Sequence, residues 1–599
     1  MNKYKLGKKI SIDSILIKIL ITILLIIYFI SLVLVQLKVS WIASSVNESF
    51  FTINKNHTSL HHPVRGNFYD LEYTKLTDNL NEYIIYLDYF KLLNSINTHS
   101  KDEISNYIST YINLSKHYIA QKIQESLEKK INIEIKTAKI KNIDTSLKNL
   151  DLLPIKIQLK LNRTYYYGEE LSNIIGYVGK VSLDELKSDS FYNFDSIVGK
   201  YKLEQQLEGD LRGKFLLKNN NEYKEEYIPG NSVILNINSK WQKSLYKILS
   251  QYTKEYDAAF GGAVILETSS GKVRALVSYP GFDSNKISNL NNLDYYNKLI
   301  NSRSKPFLDK TISQAAAPGS TFKLISAHGL LENDKISIND NYYSNRCIKF
   351  PNGQEFCEYG KFFYGNMNII RAIYKSSNLF FCNYTLKTNA TDFIVKSAKE
   401  FNLENFSLID LPGEVTGNID SPQKRKSLGN EWYDGDSCNI VIGQGATSVT
   451  PIQMAAIIAA FENNGKYYVP YVVDKIIDHN GLVIKEFTPR LLKAIDVSKS
   501  RDIILTGMRE GVTNSEGIVR SLNYLPNNVK AKTGTAESFE LVNGSLVPRT
   551  HGWIVGSFEY ENILYSFTVH LNNGIEKTNA IPVVKNFLEC LNKNFINNC

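Results

Sequence analysis

The hydrophobic pattern changes texture twice along the chain. Ile19 to Leu37 is a run of 19 residues without a charge, ILITILLIIYFISLVLVQL, which as a helix extends about 28 Å and can cross a bilayer core. A cleaved leader has a shorter apolar stretch and a small-residue cleavage site, so an uncleaved anchor is expected. Residues 40 to about 235 are polar and mixed. Within them LPIKIQLKL (153 to 161) alternates as a half-buried strand does, SVILNIN (232 to 238) repeats the pattern, and helical stretches such as 118 to 135 are inserted. From about 240, KWQKSLYKILSQYTKEY has helical spacing, and GGAVILET and VRALVSY read as strands joined by a Ser-Ser-Gly turn. A domain boundary is expected between 230 and 245. Downstream, STFKLISAHGLLEN and NIIRAIYKSSNLFFCNYTL are helix-like, whereas VKAKTGTAES, HGWIVGSF and ILYSFTVHL read as partner strands.

Charge orients the anchor. Lys3, Lys5, Lys8, Lys9 and Lys18 precede the apolar run and Lys38 follows it, which places the N-terminus in the cytoplasm and the rest of the chain outside. The net charge of +9 over 599 residues is modest and no later basic run appears, which argues against a nucleic-acid partner. Six cysteines suit an extracytoplasmic protein. Cys347 and Cys357 flank a Pro351-Asn352-Gly353 turn and are a candidate bridge across a hairpin. Cys590 and Cys599 are a second candidate pair, while Cys382 and Cys438 read as buried thiols. His57, His61 and His62 have no acidic or Cys partner nearby and read as a solvated juxtamembrane segment.

The candidate chemistry is a serine three residues before a lysine. Ser320 would stand at or near a helix N-terminus, with Lys323 one turn later on the same face. A serine hydroxyl needs an adjacent base, and a lysine can serve if burial or charge lowers its pKa. The same placement suits a capping serine, and Ser126 to Lys129 and Ser269 to Lys272 have the same spacing. Further candidates are Ser376 and Asn378, inside the helix-like run, and Lys532-Thr533-Gly534-Thr535 on a strand. Glycine in a strand interior suggests that something approaches the backbone closely, such as a substrate strand.

The ordered set Ser320-x-x-Lys323, Ser376-x-Asn378 after 56 residues and Lys532-Thr533-Gly534 after a further 154 resembles the penicillin-binding protein and serine β-lactamase superfamily. GAVILETSSGKVRALVSYPGFDSN, PGSTFK and IGQGATSVTPIQMAAIIAAFENNG extend the resemblance from about 240 to 595. In the last of these, Thr450 can cap a helix, Pro451 fits its first turn and Asn464-Gly465 can end it. RTYYYGEELSNIIGYVGKVS and VGKYKLEQQLEGDLRGK resemble the pedestal of class B penicillin-binding proteins, and WYDGDSCNIVIGQG is similar to the elongation-type branch. The fold implied is α/β (α+β): a transpeptidase-like domain with an antiparallel sheet flanked by helices, a strand-rich pedestal and a single transmembrane helix. The implied division is a cytoplasmic tail 1–18, an anchor 19–37, a pedestal 38–238 and a transpeptidase domain 239–599.

The resemblance implies a peptidoglycan D,D-transpeptidase of the inner membrane, with its catalytic domain in the periplasm, that cross-links D-Ala-D-Ala stem peptides and is trapped by β-lactams. Ser320 would be the nucleophile and Lys323 its base. Ser376 would relay protons, Asn378 would orient the substrate amide, and Lys532 and Thr533 would bind its carboxylate. Gly534 would admit the chain, and the N–H groups of Ser320 and Thr535 would form the oxyanion hole. A membrane-embedded glycan polymerase of the elongation machinery is the implied partner. The alternatives are a D,D-carboxypeptidase or β-lactamase on the same fold and a membrane-anchored scaffold or sensor.

Two departures stand out. RGNFYDLEYTKLTDN keeps Arg65-Gly66 but little else of the family's motif there, and AAAPGS replaces Tyr-Pro-Pro-Gly-Ser. Relatives can hold zinc near the second motif. Here Cys347 and Cys357 align with two acidic positions, Tyr364 with the histidine and Ser377 with the cysteine, too few ligands for a closed site. Neither metal nor cofactor is expected, and the Cys347 to Cys357 disulfide is favoured.

Overall fold

The computed structural model describes residues 63–139, 153–192, 196–217, 225–288, 292–542, 545–575 and 578–593. The expected tail 1–18, the anchor 19–37 and the three juxtamembrane histidines lie outside them. Among the described residues no helix is long and apolar enough to cross a membrane. The chain divides into two compact units.

In the smaller unit, apolar residues recur every fourth position through Ile104, Ile108 and Ile112 in the helix Lys101–Ile112 and through Ile119 and Ile123 in Lys116–Lys129. These stripes pack with Leu87, Leu92 and Ile135 into one small core. Ser100 and Glu103 cap the first of these helices reciprocally. The stretch 118 to 135 read as helix therefore ends at Lys129. Its last residues enter the strand Ile133–Lys139, which pairs antiparallel with Thr77–Leu87.

The larger unit is organised by a five-stranded antiparallel sheet. Its strands are β1 (Phe260–Glu267), β2 (Val273–Tyr279), β3 (Lys530–Val542), β4 (Ser545–Tyr560) and β5 (Ile563–Gly574), in the order β2-β1-β5-β4-β3. Strand alternation sends neighbours to opposite faces. Ala263 and Ile265 of β1 join a core with helices α1 (Ser239–Glu255) and α5 (Ile581–Asn592), whereas Val264 and Leu266 join the core containing α2 (Lys323–Glu332), α3 (Asn378–Lys387) and α4 (Pro451–Glu462). All twelve residues of α4 are buried, as expected for a helix apolar on every side. Its ends follow the sequence reading: Thr450 and Gln453 form a capping box, Pro451 occupies the first turn, and Asn464 and Gly465 take positive φ beyond the last turn.

SVILNIN contributes the strand Ser232–Leu235, which does not alternate. Val233, Ile234 and Leu235 are all buried because the strand pairs in parallel with Phe68–Tyr69. Beside it, Arg65 and Arg163 converge on Glu204, with Nε to carboxylate distances of 2.6 and 2.8 Å, and Tyr165 donates to the same carboxylate at 3.2 Å. Arg65 also pairs with Glu208 at 2.7 Å. The retained Arg65 is thus tied to the segment VGKYKLEQQLEGDLRGK by a buried ion cluster. Gly66 is needed because a Cβ there would lie 1.7 Å from the Asn231 carbonyl oxygen.

Cys347 and Cys357 pair across the expected hairpin and are disulfide-bonded. Cys382 and Cys438, read as buried thiols, are joined to each other; the helix-like spacing around each gave no sign that their two helices meet. Cys590 is also disulfide-bonded, and its expected partner Cys599 lies outside the described residues.

Glu204→Ala leaves the buried Arg163 guanidinium without its counter-charge and Arg65 with Glu208 alone, and is expected to lower stability by about 3 to 5 kcal/mol, read from the shift of a urea unfolding transition. Thiol titration of the denatured, unreduced protein is expected to find Cys382 and Cys438 unreactive; two titratable thiols at those positions would contradict the pairing.

Candidate active site

Ser320 occupies a single 3₁₀ turn, Gly319–Thr321, that leads directly into α2. Three neighbours fix this turn. Gly319 N–H donates to the Gly443 carbonyl at 3.0 Å, Ala316 exchanges two backbone hydrogen bonds with Val449, and Trp553 Nε1 donates to the Ala317 carbonyl at 2.9 Å. Strand β3 then closes against it. A Cβ on Gly534 would sit 2.5 Å from the Pro318 carbonyl oxygen and 2.9 Å from Thr321 Cγ2, and one on Gly319, whose φ is +54°, would sit 2.5 Å from the Thr535 oxygen. The close approach that Gly534 permits is therefore that of the serine's own turn.

Lys323 follows one turn later and is fully buried. Its Nζ donates to the Ser376 carbonyl and to Asn378 Oδ1, both at 2.7 Å, and lies 3.4 Å from Ser376 Oγ. From the opposite side Lys532 Nζ donates to Ser376 Oγ at 2.7 Å and to the Thr533 carbonyl at 2.8 Å. One hydroxyl thus lies between two lysine side chains. Burial lowers the Lys323 pKa to about 7, with the Glu358 carboxylate pulling the other way. Lys532 is driven well below its ordinary value, first by burial and then by the charge of Lys323.

Ser376 and Asn378 do not lie inside one helix. The helix Ile369–Tyr374 ends, Ser376 takes a positive φ of 59°, and α3 begins at Asn378 with Ser377 as its N-cap. A non-glycine residue in this conformation costs about 1 to 3 kcal/mol, and here it turns the hydroxyl toward the two lysines. The apolar residues on both sides continue the helical rhythm and conceal the break. Both ends of the Asn378 amide are engaged within the protein: Oδ1 accepts from Lys323, and Nδ2 donates to the Cys357 carbonyl at 3.0 Å.

Thr533, Gly534 and Thr535 lie on β3, the edge strand of the sheet, with Thr533 partly buried and Thr535 exposed. An edge strand leaves alternate N–H and C=O groups free for another strand. The two other Ser-x-x-Lys sequences have different surroundings. Ser126 Oγ donates to the Ile131 carbonyl near a helix end, while Ser269 lies in the β1–β2 turn and Lys272 pairs with Asp474.

The residues aligned with the family's metal ligands do not fit a closed zinc centre. Cys347, Glu355 and Cys357 cluster, but the two sulfurs are bonded to each other and neither offers a thiolate. Ser377 Oγ instead donates to Glu358. Glu358, Gly443 and Trp553 all contact the assembled site and were not singled out from the sequence. Only Glu358 carries a local signal, as an acidic residue following a bridged cysteine.

The family model of the penicillin binding protein transpeptidase domain matches residues 261–589, and that of the penicillin-binding protein dimerisation domain matches 61–228. The chain is 26% identical over 470 residues to the peptidoglycan D,D-transpeptidase MrdA of Haemophilus influenzae, covering 73% of this chain and 70% of that one. To MrdA of Acinetobacter baumannii it is 23% identical over 561 residues, covering 87% and 79%. It is similar in fold to the penicillin-binding protein PBP2 of Helicobacter pylori, solved in complex with MreC, with a TM-score of 0.71, 22% identity and coverage of 89% and 97%. A chain of a peptidoglycan synthase complex gives a TM-score of 0.70 at 20% identity, covering 97% and 99%. With a serine turn, two buried lysines and an open strand edge in one α/β domain, and a family model spanning more than half of its length, the chain belongs to the penicillin-binding protein transpeptidase family.

Proposed function

We propose that this chain is a peptidoglycan D,D-transpeptidase of the PBP2 type, which cross-links stem peptides through an acyl-serine intermediate on Ser320. The observation that carries the reading is the placement of Ser376 Oγ between Lys323 and Lys532, beside the helix that Ser320 heads. In this reading neutral Lys323 accepts the Ser320 proton as Oγ attacks the carbonyl of the penultimate D-Ala. The new ester bond forms as the peptide bond breaks. Ser376 passes a proton to the leaving amine, and terminal D-Ala departs. An amine of a second stem peptide then attacks the ester, gives up a proton through the same groups and restores the serine.

Lys532 and Thr533 bind the substrate carboxylate, Thr535 and Ser320 direct N–H groups at the developing oxyanion, and the donor peptide extends the open edge of β3. Asn378, with both amide ends engaged, acts by holding Lys323 rather than by binding substrate directly. A β-lactam presents an amide that acylates the same serine and leaves nothing to diffuse away.

The proposed setting is a single-pass anchor at 19–37 in the inner membrane, with 1–18 inside and, in the periplasm, a pedestal 38–238 and a transpeptidase domain 239–599. The uncharged run and the lysines before it support this topology. A glycan polymerase of the elongation machinery is the proposed partner. The likeness to a chain of a peptidoglycan synthase complex, and to a PBP2 solved with MreC, supports work within an assembly.

Labelling with a fluorescent penicillin tests the reading. Wild type is expected to give a long-lived adduct and Ser320→Ala none; rapid release of hydrolysed penicillin would point to a hydrolase, and labelling that survives Ser320→Ala would refute the mechanism. The acylation rate is expected to rise with pH through about 7 as Lys323 loses its proton and to fall below that, because an ammonium cannot accept the serine proton.

A further inference from the structure

Among the groups buried beside the site, one has no part in the chemistry above. Glu358 is 2% exposed and follows Cys357 directly. Its Oε1 accepts hydrogen bonds from Ser344 Oγ at 2.8 Å, from Ser377 Oγ and from Leu379 N–H at 3.3 Å, and its Oε2 accepts from Asn378 N–H at 2.6 Å. All four donors are neutral, and two are main-chain groups in the first turn of α3. A buried carboxylate is costly unless hydrogen bonds and a favourable field meet it, and the helix N-terminus supplies both. The adjacent carbonyl, that of Cys357, takes the Asn378 side-chain amide. The Cys347–Cys357 bridge and the hydrogen bond from Glu358 N–H to the Arg346 carbonyl hold this two-residue strap to its hairpin.

We propose that Glu358 is a positioning residue for acyl transfer: its carboxylate clamps the Ser376–Asn378 turn so that the Ser376 hydroxyl and the Asn378 side-chain oxygen Oδ1 meet the two lysines. The inference rests on the acyl-serine reading and adds a residue that touches neither substrate nor reacting atoms. The chain of contact is short. Glu358 fixes Ser377 and the Asn378 backbone, these fix the positive-φ serine between them and the preceding helix, and Ser376 and Asn378 fix Lys323. The same carboxylate is the negative charge acting on Lys323, whose own charge in turn lowers Lys532, while Ser376 and Asn378 beside it are uncharged. Substituting glutamine preserves the shape but removes the charge and one acceptor, so that either Asn378 N–H or the pair of serine hydroxyls faces an amide NH₂.

The test compares full-length wild type with Glu358→Gln and Glu358→Asp in detergent, reading the second-order rate of acylation by fluorescent penicillin from pH 5 to 9 together with the melting transition. Glu358→Gln is expected to slow acylation by about 10- to 100-fold. It is also expected to move the acidic limb of the profile to lower pH by about half a unit or more, because loss of a nearby negative charge lowers the Lys323 pKa. Glu358→Asp, which keeps the charge on a shorter arm, is expected to bring the limb back toward the wild-type position while acylation stays slow. A rate per folded molecule within about twofold of wild type and an unmoved limb in Glu358→Gln would overturn the proposal. Should that variant not fold, Ser377→Ala removes one donor to the carboxylate, together with the N-cap of α3, and leaves the carboxylate in place. It is expected to slow acylation about 3- to 10-fold, roughly one hydrogen bond, and an unchanged rate would overturn the proposal equally. If wild type itself fails to label at Ser320, the acyl-serine reading falls first and on separate grounds.

Discussion

The site depends on a contact between two stretches of main chain. The turn carrying Ser320 and the edge strand carrying Lys532 approach so closely that neither Gly319 nor Gly534 has room for a Cβ. Side chains at an interface adjust through rotamers, but opposed backbones adjust only by moving whole elements, so this contact sets the separation of serine and strand with little freedom. Gly443, bonded to Gly319, and Trp553, bonded to Ala317, hold the turn from two further directions. The short residues before the serine, Ala315 to Ala317, let these neighbours close in.

Around this frame the interior is unusually polar. Two lysines, a carboxylate and a serine in an unfavourable backbone conformation are grouped where an apolar core would be more stable. Each is compensated by a directed hydrogen bond, and the compensation is mutual. The lysines need Ser376, Ser376 needs the turn, and the turn is held by Glu358. The segment matched by the dimerisation-domain model uses a different solution for its buried charge, with two arginines placed around Glu204, and that cluster joins segments more than 130 residues apart.

Much of this was legible in the sequence, and the exceptions have physical reasons. Strand alternation and turn residues gave the β1–β2 pair, the partner strands around Lys532 and both ends of α4, since those signals are local. The Ser-x-x-Lys spacing occurred three times and carried no weight alone; the order of the three motifs selected Ser320. The break at Ser376 was hidden because the apolar positions on either side stay in helical step. Trp553 and the Cys382–Cys438 bridge were missed because their partners are distant in the chain and a lone aromatic or cysteine residue has no periodicity to read; Glu358 offered only its place after a bridged cysteine, and its partners Ser344 and Ser377 lie in other elements.

That bridge bears on how the domain reaches its folded state. Cys382 lies in α3, just after the Ser376 turn, and Cys438, 56 positions further on, lies shortly before Gly443. In the chain-entropy account, closing a loop of this length removes freedom from the unfolded ensemble equivalent to about 4 kcal/mol. In the oxidised chain, two of the separate stretches that must meet around the serine turn stay near each other even when the domain is unfolded. The non-local search is shortened at the point where four distant segments, near 318, 376, 443 and 534, have to find one another.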